Sequence, residues 1–547
     1  MPTFKYFSIY LFSLSVFWPM LTFGQGTNDS IDLVNRFWHQ KDLEIDSIPG
    51  TGLDRVHNEL LKDKKGVEVV VAVLDTKVDI FHEDLEGRIW INKDEIPGNG
   101  IDDDENGYID DINGWNFLGN KEGEDILYQQ PEYVRFVRRY NKEFSGKTII
   151  DIPEEQIDVF RKYYEAKKKL ETEYEEAIVK KSSFDSIYDL YQESKLLISK
   201  HLNDSLITTE KLKNLESINP SLKKYTSFFI NFILEYGIED SDMQWNKLYF
   251  QNRVIRDLNI EYNDRALLHE NERDILDKDY GNPIVYGEAN IEHSIGVCGI
   301  LAATRDNGLG IDGFSNNIKI MPIVMVSEGD EHDKDVALAI RYAVDNGAHI
   351  INMSWGKYLS LNEHWVIEAI KYAWENDVLI VSSAGNDSKN IDNDTYYPTD
   401  YFEGEEYVNT FILVGGTTRY FDEHLVATFS NFGKRDVDIF APADEIYTTN
   451  TSNSYKVSKG TSYSSPIVAG TAALIKSYYP EFSSLEIKTI ILDAGTPVNF
   501  EIELNLEGNS TKMVPFSEVC KTGKIINTYN ALLFADALHV KNGKTDR

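Results

Sequence analysis

Cysteine is close to absent. The 547 residues hold only Cys298 and Cys520, too few for a disulfide framework, and Cys298 stands in a small, apolar run where a buried free thiol is expected rather than a bridge. No clustering of Cys or His suggests zinc. Basic residues are short as well: 55 Lys and Arg face 90 Asp and Glu, a formal charge of −35. Such a surface repels a phosphate backbone, which argues against nucleic acid as a partner and makes cation binding the easier reading. Long apolar runs are missing, with one exception. Residues 6–23 are almost uncharged, follow Lys5, and end in the small residues around Thr22-Phe-Gly24. This reads as a signal peptide over 1–24, cut before Gln25, and predicts a secreted or periplasmic protein. A membrane anchor is the competing reading of so long a stretch. The small flanking residues and polar continuation favour cleavage, and with no second such stretch the mature form is expected to have no membrane association.

Hydrophobic residues make up 42% of the chain and aromatics 12%, enough to bury a large core. Residues 25–66 are polar and aromatic without strong period and read as a short N-terminal leader. Nearly continuous apolar, often β-branched runs then occur at 67–74, 319–326, 349–353, 378–382, 410–414 and 437–440, as expected of strands buried on both faces of a parallel sheet. Helical patterns at 335–345 and 363–376 separate several of them, and a last helix is predicted over 529–538. Strands alternating with helices imply an α/β domain with a mostly parallel sheet. Residues 121–280 break the rhythm. They are poor in Gly and rich in Lys, Glu, Tyr and Leu, with Val159, Tyr163, Ala166, Leu170, Tyr174 and Ala177 at helical spacing. This predicts a helical insertion dividing the α/β domain into 67–120 and 281–547.

Three segments place chemically useful side chains where such a domain collects its functional groups. Asp75 ends the run Val69-Val-Val-Ala-Val-Leu, at the carboxyl end of a buried strand. His293 opens a helix whose Gly296 and Gly299 permit close packing. Ser462, in Gly460-Thr-Ser462-Tyr-Ser-Ser-Pro466, opens another, in which Pro466 is expected to fall within the first turn and cost little.

These segments resemble the Asp-Thr-Gly, His-Gly-Thr and Gly-Thr-Ser-Met-Ala-Ala-Pro motifs of the subtilisin-like serine proteases, in the same Asp, His, Ser order. Val381-Ser-Ser-Ala384-Gly385-Asn386 resembles that family's oxyanion-hole motif, and Ile351-Asn-Met-Ser354-Trp355-Gly356 the strand that pairs with substrate backbone. Weaker echoes are Tyr397-Pro398, Phe429-Ser-Asn431-Phe-Gly433 and Phe440-Ala-Pro442. The resemblance covers 67–119 and 281 to about 490. It implies a three-layer α/β fold and cleavage of polypeptide substrates through an acyl-enzyme. It also implies that Ser354, Trp355, Gly356, Ala384 and Gly385 line the pocket for the residue before the scissile bond, with Trp355 hinting at an apolar preference.

The roles follow from chemistry as well. A serine hydroxyl is a poor nucleophile near neutral pH and needs a base within reach and a carboxylate to fix that base's tautomer; His293 and Asp75 supply these. Charge developing on the attacked carbonyl oxygen needs preorganised donors, here the Ser462 backbone N–H and the Asn386 side-chain amide. His82 is expected to hydrogen-bond structurally rather than catalyse. Departures from the family are Lys77 in place of Gly, Ser294-Ile295 in place of Gly-Thr, and Tyr463-Ser464-Ser465 in place of Met-Ala-Ala. The first two could narrow the cleft and the third changes packing. An α/β-hydrolase esterase would need Gly-x-Ser-x-Gly with histidine last in order, and neither is found. The alternative that remains is a catalytically impaired relative acting as a binding module.

Asp102, Asp104, Asn106, Tyr108 and Asp110 lie at alternate positions around Gly107, like the first half of an EF-hand-like calcium loop, with Asn113 where that loop wants a bidentate Glu. A structural calcium ion, completed from elsewhere, is the expectation, and a plain acidic turn is the alternative. No organic cofactor is expected.

Overall fold

The computed structural model describes residues 36–62, 64–202, 207–287, 291–402, 404–506 and 510–541; the expected signal peptide lies outside them. The described residues form two compact units, one of Tyr133–Asn263 and a larger one of the remaining chain. The expected insertion, 121–280, is therefore too wide at both ends. Its flanks belong to the larger unit because their charges are buried there in pairs. Arg265 donates to both oxygens of Asp335, at 2.5 and 2.9 Å, and Tyr280 donates to the same carboxylate at 2.6 Å. Asp264 accepts from the Gln130 amide at 2.8 Å and meets His332 Nε2 at 2.9 Å.

The larger unit is built on nine strands: β1 (Val69–Asp75), β2 (Trp115–Asn116), β3 (Ile318–Val324), β4 (Ile350–Met353), β5 (Leu379–Ser383), β6 (Phe411–Thr417), β7 (Ile439–Pro442), β8 (Thr496–Pro497) and β9 (Lys524–Ile525). Their order across the sheet is β8-β9-β7-β6-β5-β4-β1-β3-β2. Every pairing is parallel except that of β8 with β9 at one edge. The six predicted apolar runs all appear as strands, shifted by a few residues at their ends. The two-residue strands at the edges are too short to leave a pattern in the sequence.

Because side chains alternate along a strand, β1 feeds both faces of the sheet. Val69, Val71 and Val73 join a core with the helices Glu292–Ala302 and Thr461–Tyr478, while Val70, Ala72 and Leu74 join one with Asp333–Asp345 and Glu363–Glu375. The result is three layers. Cys298 belongs to the first core and Cys520 to the second, so the sheet stands between two free, buried thiols. The leader is structural where it is described: Trp38, Leu53 and Val56 are fully buried, and Trp38 Nε1 donates to the Asp444 carbonyl at 3.0 Å.

The smaller unit is helical. Its longest element, Ile157–His201, runs 45 residues and buries Tyr163, Ala166, Leu170 and Ala177 as the spacing predicts, whereas Tyr174 is exposed. Its second half packs Phe184, Tyr191 and Ile198 against Leu212, Phe229 and Phe250. No helix among the described residues is long and apolar enough to cross a membrane.

Candidate active site

Asp75 ends β1, between β3 and β4, and its side chain is fully buried. One oxygen accepts the Thr76 N–H at 2.7 Å. Both oxygens lie within reach of His293 Nδ1, at 2.8 and 3.0 Å. The carboxylate therefore holds the proton on Nδ1 and leaves Nε2 with its lone pair. Burial disfavours the charged imidazole, but the charge and hydrogen bond of Asp75 outweigh it and raise the His293 pKa above its ordinary value. The histidine sits in the first turn of Glu292–Ala302. That helix is also stitched to a neighbouring strand, Ile446–Asn450: Thr448 and Thr449 hydroxyls donate to the carbonyls of Gly296 and Ile295 at 2.7 and 2.6 Å. A Cβ on Gly299 would stand 2.1 Å from Thr449 Oγ1, so only glycine allows this approach.

The departures around the histidine have structural partners. Ser294 is buried and donates its hydroxyl to the Lys77 carbonyl, and Ile295 is a core residue. Lys77 pairs with Asp125 at 2.5 Å. Tyr463 packs beside the His293 ring with centroids 6.3 Å apart, its hydroxyl accepting from Ser458 at 2.7 Å. His82 is fully buried; its Nδ1 accepts the Asp84 N–H at 3.1 Å and its Nε2 meets the Ser454 carbonyl at 3.3 Å, a structural role.

Ser462 is the second residue of Thr461–Tyr478, after Gly460 at φ 136°. The start of this helix puts Pro466 beyond the first turn, contrary to expectation. A proline there removes the N–H that the carbonyl four residues earlier would accept, and that carbonyl belongs to Ser462. The Ser354 hydroxyl replaces it, donating to the Ser462 carbonyl at 2.9 Å. In return the Ser462 hydroxyl donates to the Ser354 carbonyl at 3.0 Å. Among the described contacts there is none between the Ser462 hydroxyl and His293.

Asn386 Oδ1 accepts from the Thr461 N–H at 2.8 Å and from its hydroxyl at 3.0 Å. The first helical amide, an orphan donor in any helix, is thus capped from outside. With its oxygen occupied, the exposed Asn386 offers its Nδ2. Ala384 and Gly385 are held by Asn431, which donates through Nδ2 to the Ala384 carbonyl at 2.8 Å and through its backbone to the Gly385 carbonyl at 2.9 Å. Asn431 was visible in the sequence only as part of a weak echo. The Trp355 side chain is buried and its Nε1 donates to the Leu74 carbonyl at 2.7 Å.

The acidic loop folds differently from the expected array. Asp102 turns inward to accept the Asn106 and Gly107 amides at 3.0 and 2.8 Å, and Asp110 accepts those of Asn99 and Gly100 at 3.1 and 2.9 Å. Asn106 Oδ1 accepts the Tyr108 amide at 2.8 Å. Asn106 stays beside Asp104, its N–H and Nδ2 donating to that carboxylate at 3.1 and 3.0 Å, whereas Asp102 and Asp110 are not among the acids that converge with Asp104. The acids that do converge are Glu95, Asp104 and Asp111, each with one oxygen within 4.8 Å of the others. Burial raises the Asp111 pKa, against hydrogen bonds from Tyr342, Asn92 and Asn106. Glu95 and Asp111 escaped the sequence reading because neither falls on the alternate spacing.

The Subtilase family model matches residues 234–510, just over half of the chain; that stretch holds His293, Asn386 and Ser462 but not Asp75. The thermophilic serine proteinase of Bacillus sp. (strain AK1) is 32% identical over 262 residues, covering 48% of this chain and 56% of the relative. Subtilisin DY of Bacillus licheniformis is 32% identical over 206 residues, covering 37% and 70%. Thermitase of Thermoactinomyces vulgaris is 32% identical over 186 residues, covering 34% and 61%. The chain thus spans little more than half the length of the first of these relatives. With the family profile over half its length and a relative matched over two thirds of its own, the chain belongs to the subtilase family.

Proposed function

We propose that the protein is a serine endopeptidase that hydrolyses peptide bonds in polypeptide substrates through an acyl-enzyme intermediate, exported to the periplasm or beyond. The observation that carries the reading is the Asp75 carboxylate on His293 Nδ1, at 2.8 and 3.0 Å. It leaves Nε2 as the only basic nitrogen of the ring, on a side chain that is one-third exposed. A rotation about the first side-chain torsion of Ser462 exchanges its bond to the Ser354 carbonyl for one to Nε2. Ser462 Oγ then attacks the substrate carbonyl carbon as its proton passes to Nε2. The oxyanion is met by the Ser462 N–H at the helix start and by Asn386 Nδ2. Collapse expels the amine, which takes the proton from His293. Water repeats the cycle in reverse and frees the acid product.

A calcium ion held by Glu95, Asp104 and Asp111 belongs to the same proposal. All three offer carboxylate oxygens, the ligand type calcium takes, and the ion would brace a surface loop apart from the chemistry. The competing reading, an impaired relative acting as a binding module, draws support from the Ser462 hydroxyl facing Ser354 rather than His293. Labelling with a fluorophosphonate probe separates the two. An activated serine reacts in the parent and not in Ser462→Ala; absence of labelling in folded parent protein favours the binding module.

A further inference from the structure

Gly356 and Gly385 leave the sheet from the neighbouring parallel strands β4 and β5, which pair as far as Met353 with Ser382. Both lie beside the nucleophile. Two residues before Gly356, Ser354 exchanges hydrogen bonds with Ser462. The Gly385 N–H donates to the hydroxyl of Thr461, the residue before the nucleophile, at 3.1 Å. Two glycines facing each other at strand ends would leave a slot wide enough for a side chain. Here the slot is filled. A Cβ on Gly356 would stand 2.4 Å from Tyr396 Cε1 and 2.5 Å from its Cζ; one on Gly385 would stand 2.8 Å from Cζ and 3.0 Å from Cε2. Opposite edges of one phenol ring therefore meet the two glycines.

The ring is fixed from behind. Lys357 and Tyr397 exchange backbone hydrogen bonds at 2.9 and 2.7 Å, which sets Tyr396 in register beside Gly356. Tyr358 packs edge-on against Tyr396 with centroids 5.1 Å apart. The Tyr358 hydroxyl in turn donates to Asp387 at 2.7 Å and accepts from Asn431 at 2.8 Å, while the Lys389 ammonium stands 4.3 Å over its ring centre. Tyr396 itself is only 7% exposed. Swinging it out would strip this packing and expose an aromatic face, so it acts as a wall and not as a door.

We propose that Tyr396 occupies the pocket for the residue before the scissile bond and restricts that residue to glycine, alanine or serine. The proposal rests on the protease reading above. It reverses the apolar preference that Trp355 suggested, because the indole N–H is tied to the Leu74 carbonyl and the phenol stands against both glycines. Nothing among the described residues hydrogen-bonds the Tyr396 hydroxyl, so its contribution is the volume of the ring.

The test uses two chromogenic peptide anilides that differ only in the last residue, alanine or phenylalanine. The parent is expected to show kcat/KM at least about tenfold higher on the alanine substrate. Tyr396→Ala should move the ratio toward phenylalanine by roughly 10–200-fold, the scale on which apolar pockets discriminate, and Tyr396→Phe should keep the parent's ratio. An equal or phenylalanine-favouring ratio in the parent, or an unmoved ratio in folded, active Tyr396→Ala, overturns the proposal while leaving the protease reading intact. Should Tyr396→Ala fail to fold, the parent's cuts in unfolded casein, mapped by mass spectrometry, decide: small residues before the cut support the wall, and aromatic or leucine residues overturn it. A folded parent that neither cleaves either anilide nor reacts with a fluorophosphonate removes the protease reading, and this proposal with it.

Discussion

Ser354 and Ser462 hold each other in a reciprocal pair, the hydroxyl of each donating to the backbone carbonyl of the other at 2.9 and 3.0 Å. The pair exists because Pro466 has no N–H for the Ser462 carbonyl. Ser354→Ala should therefore leave the half-buried Ser462 carbonyl unpaired and deprive Asn352 Nδ2 of its 2.9 Å partner. The expected loss is about 1–3 kcal/mol, read as a fall in the urea midpoint. Adding Pro466→Ala restores an amide to the helix, and the double variant should recover part of the loss. A double variant worse than the sum of the singles would show that Pro466 matters for another reason.

The pH dependence turns on His293, whose pKa burial pushes down and Asp75 pushes further up. The base must be neutral, so kcat/KM should fall as pH drops through this raised value. In Asp75→Asn the opposing charge is gone and burial remains, so the acid limb should move to lower pH, with kcat down by roughly 10⁴ from loss of the correct tautomer. The same raised pKa stabilises the fold fully below the unfolded value of about 6.5 and ceases to do so as pH rises through the folded value. An acid limb that stays in place in Asp75→Asn would assign it to another group.

Asn386 does two things that substitution can separate. Asn386→Ala removes both the cap on Thr461 and the Nδ2 donor, and kcat should fall by roughly 10²–10³ with little change in KM. Asn386→Asp keeps an oxygen for Thr461 but offers no donor, so it should lose similar activity while melting near the parent. If Asn386→Asp retained kcat, the side chain would be a cap alone.

For calcium, the melting temperature of the parent should rise with free ion by mass action. Glu95→Gln and Asp104→Ala should flatten that rise. Asp102→Ala should melt lower, having lost a carboxylate that accepts the Asn106 and Gly107 amides, yet still respond to the ion. Equal responses in parent and Asp104→Ala would return the loop to a plain acidic turn.

What could be read from the sequence divides along physical lines. Continuous apolar runs such as 69–74 and the Asp75, His293 and Ser462 segments were legible because burial and chemistry each demand particular residue types. The direction of a side chain was not. Trp355 holds its place in a motif yet is buried with its indole N–H on the Leu74 carbonyl, and Asp102 and Asp110 have the right spacing for a metal yet turn to backbone amides. Tyr396 borders only the weak Tyr397-Pro398 echo; its importance arises from two glycines that approach it after other strands. Charge misled most. Arg265 and Lys334 look like solvated residues in sequence and are 2% exposed in the fold, since a pattern of acids and bases does not show which of them are paired.

That last point decides where the helical unit can be removed. Glu132 accepts the Leu361 amide at 2.8 Å and pairs with Lys357 at 3.3 Å; Lys357 also pairs with Asp333 at 2.8 Å. Across the other junction, Glu270 pairs with both Arg265 and Lys334. Cutting at 125 and 278, near the limits suggested by composition, would delete Glu132, Asp264, Arg265 and Glu270 and strand Asp335, Lys334 and His332. Each buried charge left without its partner costs about 3–5 kcal/mol, more in sum than a typical domain's stability of roughly 5–15 kcal/mol can absorb with safety. Replacing only 133–263 by a Gly/Ser linker keeps all of these pairs. The linker need not be long, because Gln130 and Asp264 are already joined by a 2.8 Å hydrogen bond. The shorter deletion should melt cooperatively near the parent and react with a fluorophosphonate at Ser462; the longer one should be unfolded or aggregated. If both deletions fold equally well, the flanking ion pairs are dispensable. If neither folds, the helical unit supports the catalytic one, and removal of any part of it is structural damage.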